Sequence, residues 1–135
     1  QLIEKEKINL DDKITKYLNH PYNQNITIRH LLNHTSGIPN PIPLKRVHLV
    51  KNHNNFREKQ ELDKVLKDNS HVDFEAGSKY GYSNIGYWLL GKIIEKVSKE
   101  EYATYVTNNI FKPLNLTSNE IGFEIENESN HAKGY

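Results

Sequence analysis

An amphipathic segment in the second half of the chain constrains the fold most. Its apolar residues recur on one helical face, as Ile85, Leu89, Ile93 and Val97, widened by Trp88, Leu90 and Ile94. This spacing predicts a helix with one buried side, and Ser83 or Asn84 can cap its N-terminus. Gly86 and Gly91 lie inside this helix, where glycine costs about 1 kcal/mol relative to alanine. We therefore expect another element to approach the helix closely at these glycines.

Shorter helices joined by polar loops are expected elsewhere. Thr27 can cap a helix whose apolar positions run from Ile28 to Thr35, and Gly37 supplies a left-handed residue beyond its end. A charged helix is expected over residues 58–69, with Leu62, Val65 and Leu66 on its apolar side.

Weaker signals complete the expected secondary structure. Residues 2–7 resemble the tail of a helix, and Asp11 and Asp12 can cap a short helix ending near Leu18. Ser98 and Glu101 have the spacing of a capping box for a helix that runs to about Phe111. We expect a loop over residues 44–56 and a short strand with alternating apolar residues at Ile121, Phe123 and Ile125.

Composition argues against several classes of function. Lys and Arg number 18 against 17 Asp and Glu, so the net charge of +1 gives no support for nucleic acid or an anionic membrane as a partner. The absence of cysteine excludes disulfides, thiolate metal sites and a cysteine nucleophile. No apolar run approaches the roughly 18 residues of a membrane span, so none is expected in this segment. A hydrophobic fraction of 36% predicts a thin core.

Three segments together carry a family resemblance. They are Ile26–Pro39 (ITIRHLLNHTSGIP), Phe74–Gly91 (FEAGSKYGYSNIGYWLLG) and Ile110–Leu116 (IFKPLNL). In order and spacing they resemble the penicillin-recognising serine hydrolases, which include class C β-lactamases, DD-peptidases and related esterases. Departures from the family pattern fall at loop and cap positions, namely Ala76, Lys99, Asn115 and Leu116.

The resemblance implies a mainly α segment, the helical lobe of the α+β fold in which helices pack on an antiparallel sheet. The family's Ser-x-x-Lys motif, which holds the acylated serine, would precede Gln1, and its Lys-Thr-Gly or His-x-Gly strand does not occur after Asn84. The chain also contains no methionine. We therefore expect residues 1–135 to be a partial β-lactamase-related domain from a larger enzyme, with an apolar face exposed when isolated.

The candidate site residues follow from the same resemblance. Tyr82 would transfer the proton of the nucleophilic serine, and Asn84 would bind the substrate and the catalytic lysine. Ser83 is expected to face the backbone turn. The alternative is that Tyr82 packs as a loop aromatic while Ser83 and Asn84 only cap the helix.

Other polar groups have simpler interpretations. His30 and His34 are four residues apart, as in zinc pairs, but the glutamate of a zincin motif is absent, so we expect a polar helix edge and no metal. Ser36 beside Gly37 is better explained by loop closure than as a nucleophile. The acidic residues near the C-terminus lack the spacing of a calcium loop and predict a solvated surface: Glu120, Glu124, Glu126 and Glu128.

The expected function is therefore that of a fragment of a serine hydrolase. It would act through an acyl-enzyme on an amide or ester, whether a β-lactam, a D-Ala-D-Ala peptide or an ester, without a cofactor. Its partner would be a small-molecule or peptidoglycan-like substrate, and the resemblance implies a periplasmic or extracellular location. The fragment alone should be inactive. The alternative is a non-catalytic binding module or a degenerate paralogue of the same fold.

Overall fold

The computed structural model describes residues 1–41, 57–118 and 120–123. Within these ranges the secondary structure is helical and includes no strand. The α-helices are α1 (Ile28–Leu32), α2 (Glu58–Asp68), α3 (Asn84–Ser98) and α4 (Tyr102–Val106). Short 3₁₀ segments span Ile14–Lys16 and Lys112–Leu114, and a π-helical turn spans Thr107–Phe111. An isolated antiparallel bridge joins Lys13 to Thr27.

Helix α3 forms the centre of the core, as its apolar spacing predicts. Ile85, Leu89 and Ile93 are each at most 2% exposed, and Val97 packs at the edge of the same cluster. Burying one such side chain contributes roughly 1.5–3 kcal/mol, so this face supplies much of the packing energy. Its core partners come from α1 and the loops before and after it: Ile14, Tyr22, Ile26, Ile28, Leu31 and Ile38.

The two glycines of α3 do not mark the close approach that we expected. A β-carbon on Gly86 would lie 3.6 Å from the Leu31 side chain, and one on Gly91 would lie 3.9 Å from the Tyr102 ring. Both are ordinary van der Waals distances. A methyl group would therefore fit at either position.

Helix α1 begins as predicted and ends earlier. The Thr27 hydroxyl accepts a hydrogen bond from the His30 N–H at 3.3 Å, and His30 Nδ1 accepts one from the Thr27 N–H at 3.2 Å. This reciprocal pair satisfies two N-terminal donors. The helix ends at Leu32 because His34 adopts a positive φ of 55°, and Gly37 adopts the expected left-handed conformation with φ 77°.

Helix α2 matches the predicted charged helix and is tied to α3 through Glu58. Its carboxylate accepts hydrogen bonds from Trp88 Nε1 at 2.8 Å and from Lys92 Nζ at 2.6 Å. Partial burial raises the pKa of Glu58, but the hydrogen bonds from Lys92 and Trp88 outweigh burial and hold it below the ordinary value. Lys92 also binds Glu95 at 2.8 Å, and Glu95 accepts from the Tyr102 N–H at 3.1 Å.

The Glu95 carboxylate, which accepts from the Tyr102 N–H, takes the place of the predicted capping box of α4. Ser98 and Glu101 do not cap this helix; the Ser98 hydroxyl instead accepts from the Glu100 N–H at 3.2 Å. A carboxylate from α3 satisfies the first donor of α4, and sequence spacing within α4 could not indicate a partner on another helix. The helical path still reaches Phe111, as expected, although its last turn is π-helical.

The N-terminal expectations hold only in part. Residues 2–6 form turns that end at Glu6, whose φ of 55° stops a helix. The expected helix after Asp12 is a 3₁₀ segment, and Asp12 does not cap it. The Asp12 carboxylate accepts hydrogen bonds from the Tyr17 hydroxyl, from Lys16 Nζ at 3.0 Å and from the Asn9 N–H at 2.9 Å. These bonds, that of Tyr17 foremost, lower the Asp12 pKa to about 2.

The C-terminal strand is absent where the structure describes it. Phe123 stacks on Phe111 with ring centroids 5.8 Å apart and meets Tyr102 edge-on at 5.9 Å. Ile121 lies in the irregular stretch after a turn. Ile125 and the expected loop over residues 44–56 lie outside the described residues.

An apolar groove runs along α3, between the N-terminal residues and α4. Its volume is about 770 Å³, and its walls include Leu2, Ile3, Tyr87, Ile94, Tyr102 and Ile110. Ile3, Tyr87 and Tyr102 are each more than 40% exposed, so part of the predicted apolar face lies open in this chain. Among the described helices, none is both long enough and apolar enough to cross a bilayer.

Candidate active site

The loop over residues 73–83 lies beside the segment over residues 34–40, and backbone hydrogen bonds join the two. In three of these bonds, each 2.8 Å long, an N–H of the loop donates to a carbonyl of the segment. The donor and acceptor pairs are Asp73 and Gly37, Gly77 and Thr35, and Gly81 and His34. Backbone hydrogen bonds thus join two of the three segments that carry the family resemblance. This pairing fixes the backbone on which the candidate site residues stand.

Glycines allow this close approach. Gly37 has φ 77°, and a β-carbon there would lie 2.0 Å from the Phe74 carbonyl oxygen. Gly81 accommodates the Phe74 ring, which would lie 2.6 Å from an added β-carbon. A side chain at Gly37 would push the loop away from the segment, whereas one at Gly81 would collide with the Phe74 ring within the loop itself.

Ser83 caps α3 from inside the protein. Its hydroxyl accepts from the Gly86 N–H at 3.1 Å and donates to the Pro39 carbonyl at 3.2 Å, with only 1% of the residue exposed. The serine therefore faces the backbone turn, as the sequence predicts. Its two neighbours, Tyr82 and Asn84, are both exposed.

Tyr82 and Asn84 are brought together at this surface. The Tyr82 hydroxyl donates to Asn84 Oδ1 at 3.1 Å, and the Tyr82 residue is 53% exposed. The Asn84 amide is held in turn by Asn40, whose Oδ1 accepts from Asn84 Nδ2 at 3.1 Å and from the Asn84 N–H at 3.0 Å. Asn40 therefore fixes the side chain that Tyr82 contacts.

Sequence reasoning missed Asn40. It follows the Gly-Ile-Pro stretch with no motif of its own, and its partner lies 44 positions later. Asn40 could be identified from the sequence only if the pairing of residues 34–40 with residues 73–83 were already known.

His34 is a second residue whose position near the site was not anticipated. Its ring centroid lies 4.5 Å from that of Tyr82 and 4.8 Å from that of Tyr87, and Tyr80 meets it edge-on at 6.0 Å. Its Nδ1 accepts from the Ser83 N–H at 3.2 Å. The helical interpretation of His34 was wrong because α1 ends at Leu32, so His30 and His34 do not share a helix.

The remaining polar candidates have local partners. His30 Nδ1 is used in the cap of α1, and the buried Ser36 hydroxyl accepts from the Ile38 N–H at 3.3 Å, which is a loop-closing role. Glu120 accepts from the Thr117 N–H and hydroxyl at 2.9 and 2.8 Å, and these bonds lower its pKa. Glu124, Glu126 and Glu128 lie outside the described residues. Within the described ranges, no three His, Cys, Asp or Glu residues are grouped to hold a metal ion.

Comparison with known proteins agrees with the resemblance. The Beta-lactamase family matches residues 1–135. Protein flp of Staphylococcus aureus strain N315 is 36% identical over 142 residues, covering 100% of this chain and 27% of that protein. Penicillin-binding protein 4* of Bacillus subtilis strain 168 is 35% identical over 121 residues, covering 89% of this chain and 26% of that protein.

A solved structure extends the comparison to the fold. The D-stereospecific amidohydrolase from Streptomyces sp. aligns with a TM-score of 0.72 and 32% identity, over 85% of this chain and 37% of that one. The chain thus spans about a quarter of the length of the curated relatives it matches. Its helices correspond to the helical lobe of their fold. On the match over its whole length, the chain belongs to the Beta-lactamase family of penicillin-recognising serine hydrolases.

Proposed function

We propose that this chain is part of a serine hydrolase that forms an acyl-enzyme with an amide or ester substrate. The observation that carries the proposal is the 3.1 Å hydrogen bond between the exposed Tyr82 hydroxyl and Asn84, on a backbone fixed by the buried Ser83 cap. Together with membership of the family, this pairing supports a catalytic origin for the Tyr-Ser-Asn segment over simple loop packing. Residues 1–135 would then be a partial domain, and the complete protein would supply the Ser-x-x-Lys helix and the Lys-Thr-Gly or His-x-Gly strand.

Tyr82 would move the proton of the nucleophilic serine. A free phenol has a pKa near 10, so it accepts a proton at neutral pH only when a nearby cation favours the phenolate or a lysine relays the proton. The lysine of the Ser-x-x-Lys motif would provide that cation. The Tyr82 hydroxyl would then exchange its bond to Asn84 for one to the serine.

Asn84 would orient the substrate. Its amide nitrogen carries two N–H groups, and the bond to Asn40 occupies one of them. The second would donate to a carbonyl on the acyl side of the substrate, which holds the scissile bond in position for attack. We propose β-lactams, D-Ala-D-Ala peptides and simple esters as the candidate substrates, since relatives include a penicillin-binding protein and a D-stereospecific amidohydrolase.

The test is the Tyr82→Phe substitution in the complete protein, assayed for acylation by a labelled penicillin and by a chromogenic ester. Loss of a proton-transfer group should slow acylation on the order of 10²–10⁴-fold. Tyr80→Phe is the matched control, because Tyr80 is a more exposed tyrosine, at 68%, two positions away. Acylation that is equally fast in the Tyr82 variant and the wild type would contradict the proposal.

The same assay separates the non-catalytic alternative. A binding module or degenerate paralogue would retain reversible binding of peptidoglycan fragments without any covalent adduct in mass spectra. We expect the chain of residues 1–135 alone to form no adduct, because a proton-transfer residue has no effect without its nucleophile.

A further inference from the structure

We propose that His34 is a positioning residue for Tyr82, acting through the backbone on both sides of that tyrosine and through direct ring contact. The inference rests on the proposed function of Tyr82. It adds a residue to the site that comes from a different segment of the chain.

The hydrogen bonds of His34 bracket Tyr82. The His34 carbonyl accepts from the Gly81 N–H at 2.8 Å, and His34 Nδ1 accepts from the Ser83 N–H at 3.2 Å. His34 therefore binds the N–H group of each residue that flanks Tyr82 in the sequence, Gly81 and Ser83. These two hydrogen bonds restrict the backbone conformation of Tyr82, because both of its neighbours are held by the same residue.

Ring contacts restrict the Tyr82 side chain as well. The His34 and Tyr82 centroids are 4.5 Å apart with the ring planes inclined by 37°. Tyr87 stacks on His34 at 4.8 Å and 25°, and its hydroxyl donates to the Leu32 carbonyl at 3.0 Å. Tyr87 is thus anchored to the end of α1, and it supports the imidazole that contacts Tyr82.

The backbone of His34 indicates that its side chain is needed. Its φ of 55° lies in the left-handed region, which is unfavourable for a residue with a β-carbon. Glycine or asparagine would adopt this conformation more easily. A histidine at such a position is explained if the ring and Nδ1 contribute something that glycine cannot.

The hydrogen bond also defines the state of the imidazole. Nδ1 accepts from Ser83 only when it carries no proton, so the neutral ring must hold its hydrogen on Nε2. Protonation of Nδ1 would set two donors against each other and weaken the contact on the Ser83 side of Tyr82.

The experiment is a double-mutant cycle in the complete protein, with acylation by a chromogenic ester as the assay. His34→Gly keeps the backbone conformation and removes the ring and acceptor, and we expect kcat to fall about tenfold with a smaller change in KM. His34→Asn retains left-handed tolerance and places an amide oxygen near Nδ1, so it should recover part of the rate. In a Tyr82→Phe background, His34→Gly should have little further effect, because its action passes through Tyr82.

Two controls make the result decisive. His30→Ala removes a histidine with a comparable backbone hydrogen bond on the neighbouring helix, and it should lower stability without changing kcat. Ring-labelled tyrosine NMR of the His34 variants should show a more mobile Tyr82 ring in His34→Gly than in wild type. This readout does not depend on activity.

The outcomes separate the two proposals. If Tyr82→Phe slows acylation while His34→Gly leaves both kcat and the Tyr82 signal unchanged, the positioning role is wrong and the proposed function stands. If the His34→Gly effect is equally large in both backgrounds, its role is only structural and the inference is overturned. If Tyr82→Phe has no effect, the proposed function fails, and the NMR comparison alone decides whether His34 orders Tyr82.

Discussion

The Phe74 carbonyl oxygen occupies space that a β-carbon on Gly37 would need, at only 2.0 Å from it. This contact, and the left-handed φ of 77° at Gly37, allow the segment after α1 to lie against the loop that carries Tyr82. Glycine is therefore required there by both conformation and space.

Gly37→Ala should lower the free energy of unfolding by about 2 kcal/mol or more, since the left-handed conformation alone costs 1–2 kcal/mol for alanine and the loop must also shift. Urea unfolding of the complete protein would measure the loss. Gly91→Ala is the matched control, because a methyl group fits there and replaces glycine inside a helix. It should raise stability by up to about 1 kcal/mol. Equal effects of the two substitutions would contradict this steric account.

Ser83→Ala should destabilise the protein by about 1–3 kcal/mol. The substitution removes the cap of α3 and leaves the Pro39 carbonyl, at a buried position, without its hydroxyl donor. Ser78→Ala provides the comparison, because the Ser78 hydroxyl makes an exposed bond to the Glu75 carbonyl at 2.7 Å. Its effect should stay within roughly 0.5 kcal/mol. Thermal melts of both variants would check the difference.

Asp12 should make stability depend on acid pH. Its pKa is lowered from 3.8 to about 2, chiefly by the Tyr17 hydrogen bond and then by Lys16. Because the folded-state pKa lies below the unfolded one, the contribution is fully present above pH 4 and disappears as the pH falls through 2. Tyr17→Phe should weaken this dependence, and Asp12→Asn should abolish it. Melting temperatures of the wild type and the two variants, measured between pH 2 and 5, would show whether the pH dependence decreases from the wild type to Tyr17→Phe to Asp12→Asn.

Asn40→Ala should reduce kcat/KM about tenfold in the complete protein. It removes the acceptor that holds both the Asn84 N–H and the Asn84 side chain, and a lost hydrogen bond of about 1.4 kcal/mol corresponds to a factor of ten. Asn40→Asp keeps an acceptor at the same place and should retain more activity. If both variants matched the wild type in ester hydrolysis, Asn40 would have no part in orienting Asn84.

Residues 1–135 in isolation should be prone to aggregation. The open groove beside α3 leaves Ile3, Tyr87 and Tyr102 exposed, and contiguous apolar surface of this kind favours association. Binding of the dye ANS and broad thermal transitions are the expected results. A sharp melt of a soluble monomer would be inconsistent with this prediction.

Periodicity and cap residues explain which elements the sequence predicts well. The stripe from Ile85 to Val97 and the caps at Thr27 and Ser83 depend on residues within one helix, so local sequence carries the information. The α4 cap was predicted wrongly because its partner, Glu95, comes from α3. The expectation of a close approach at the two glycines of α3 was wrong for a similar reason, because the space around them depends on the packing of Leu31 and Tyr102.

The sequence by itself determined the family, the mainly helical character and the Tyr82-Ser83-Asn84 segment, because motif spacing and helical period are written along one chain. Only the tertiary structure decided that Asn40 and His34 lie at this segment. Both come from the stretch after α1, 44 to 49 positions before their partners, and reach them through backbone pairing. Such pairing depends on the space that Gly37 leaves for the Phe74 carbonyl, and linear spacing does not indicate that space.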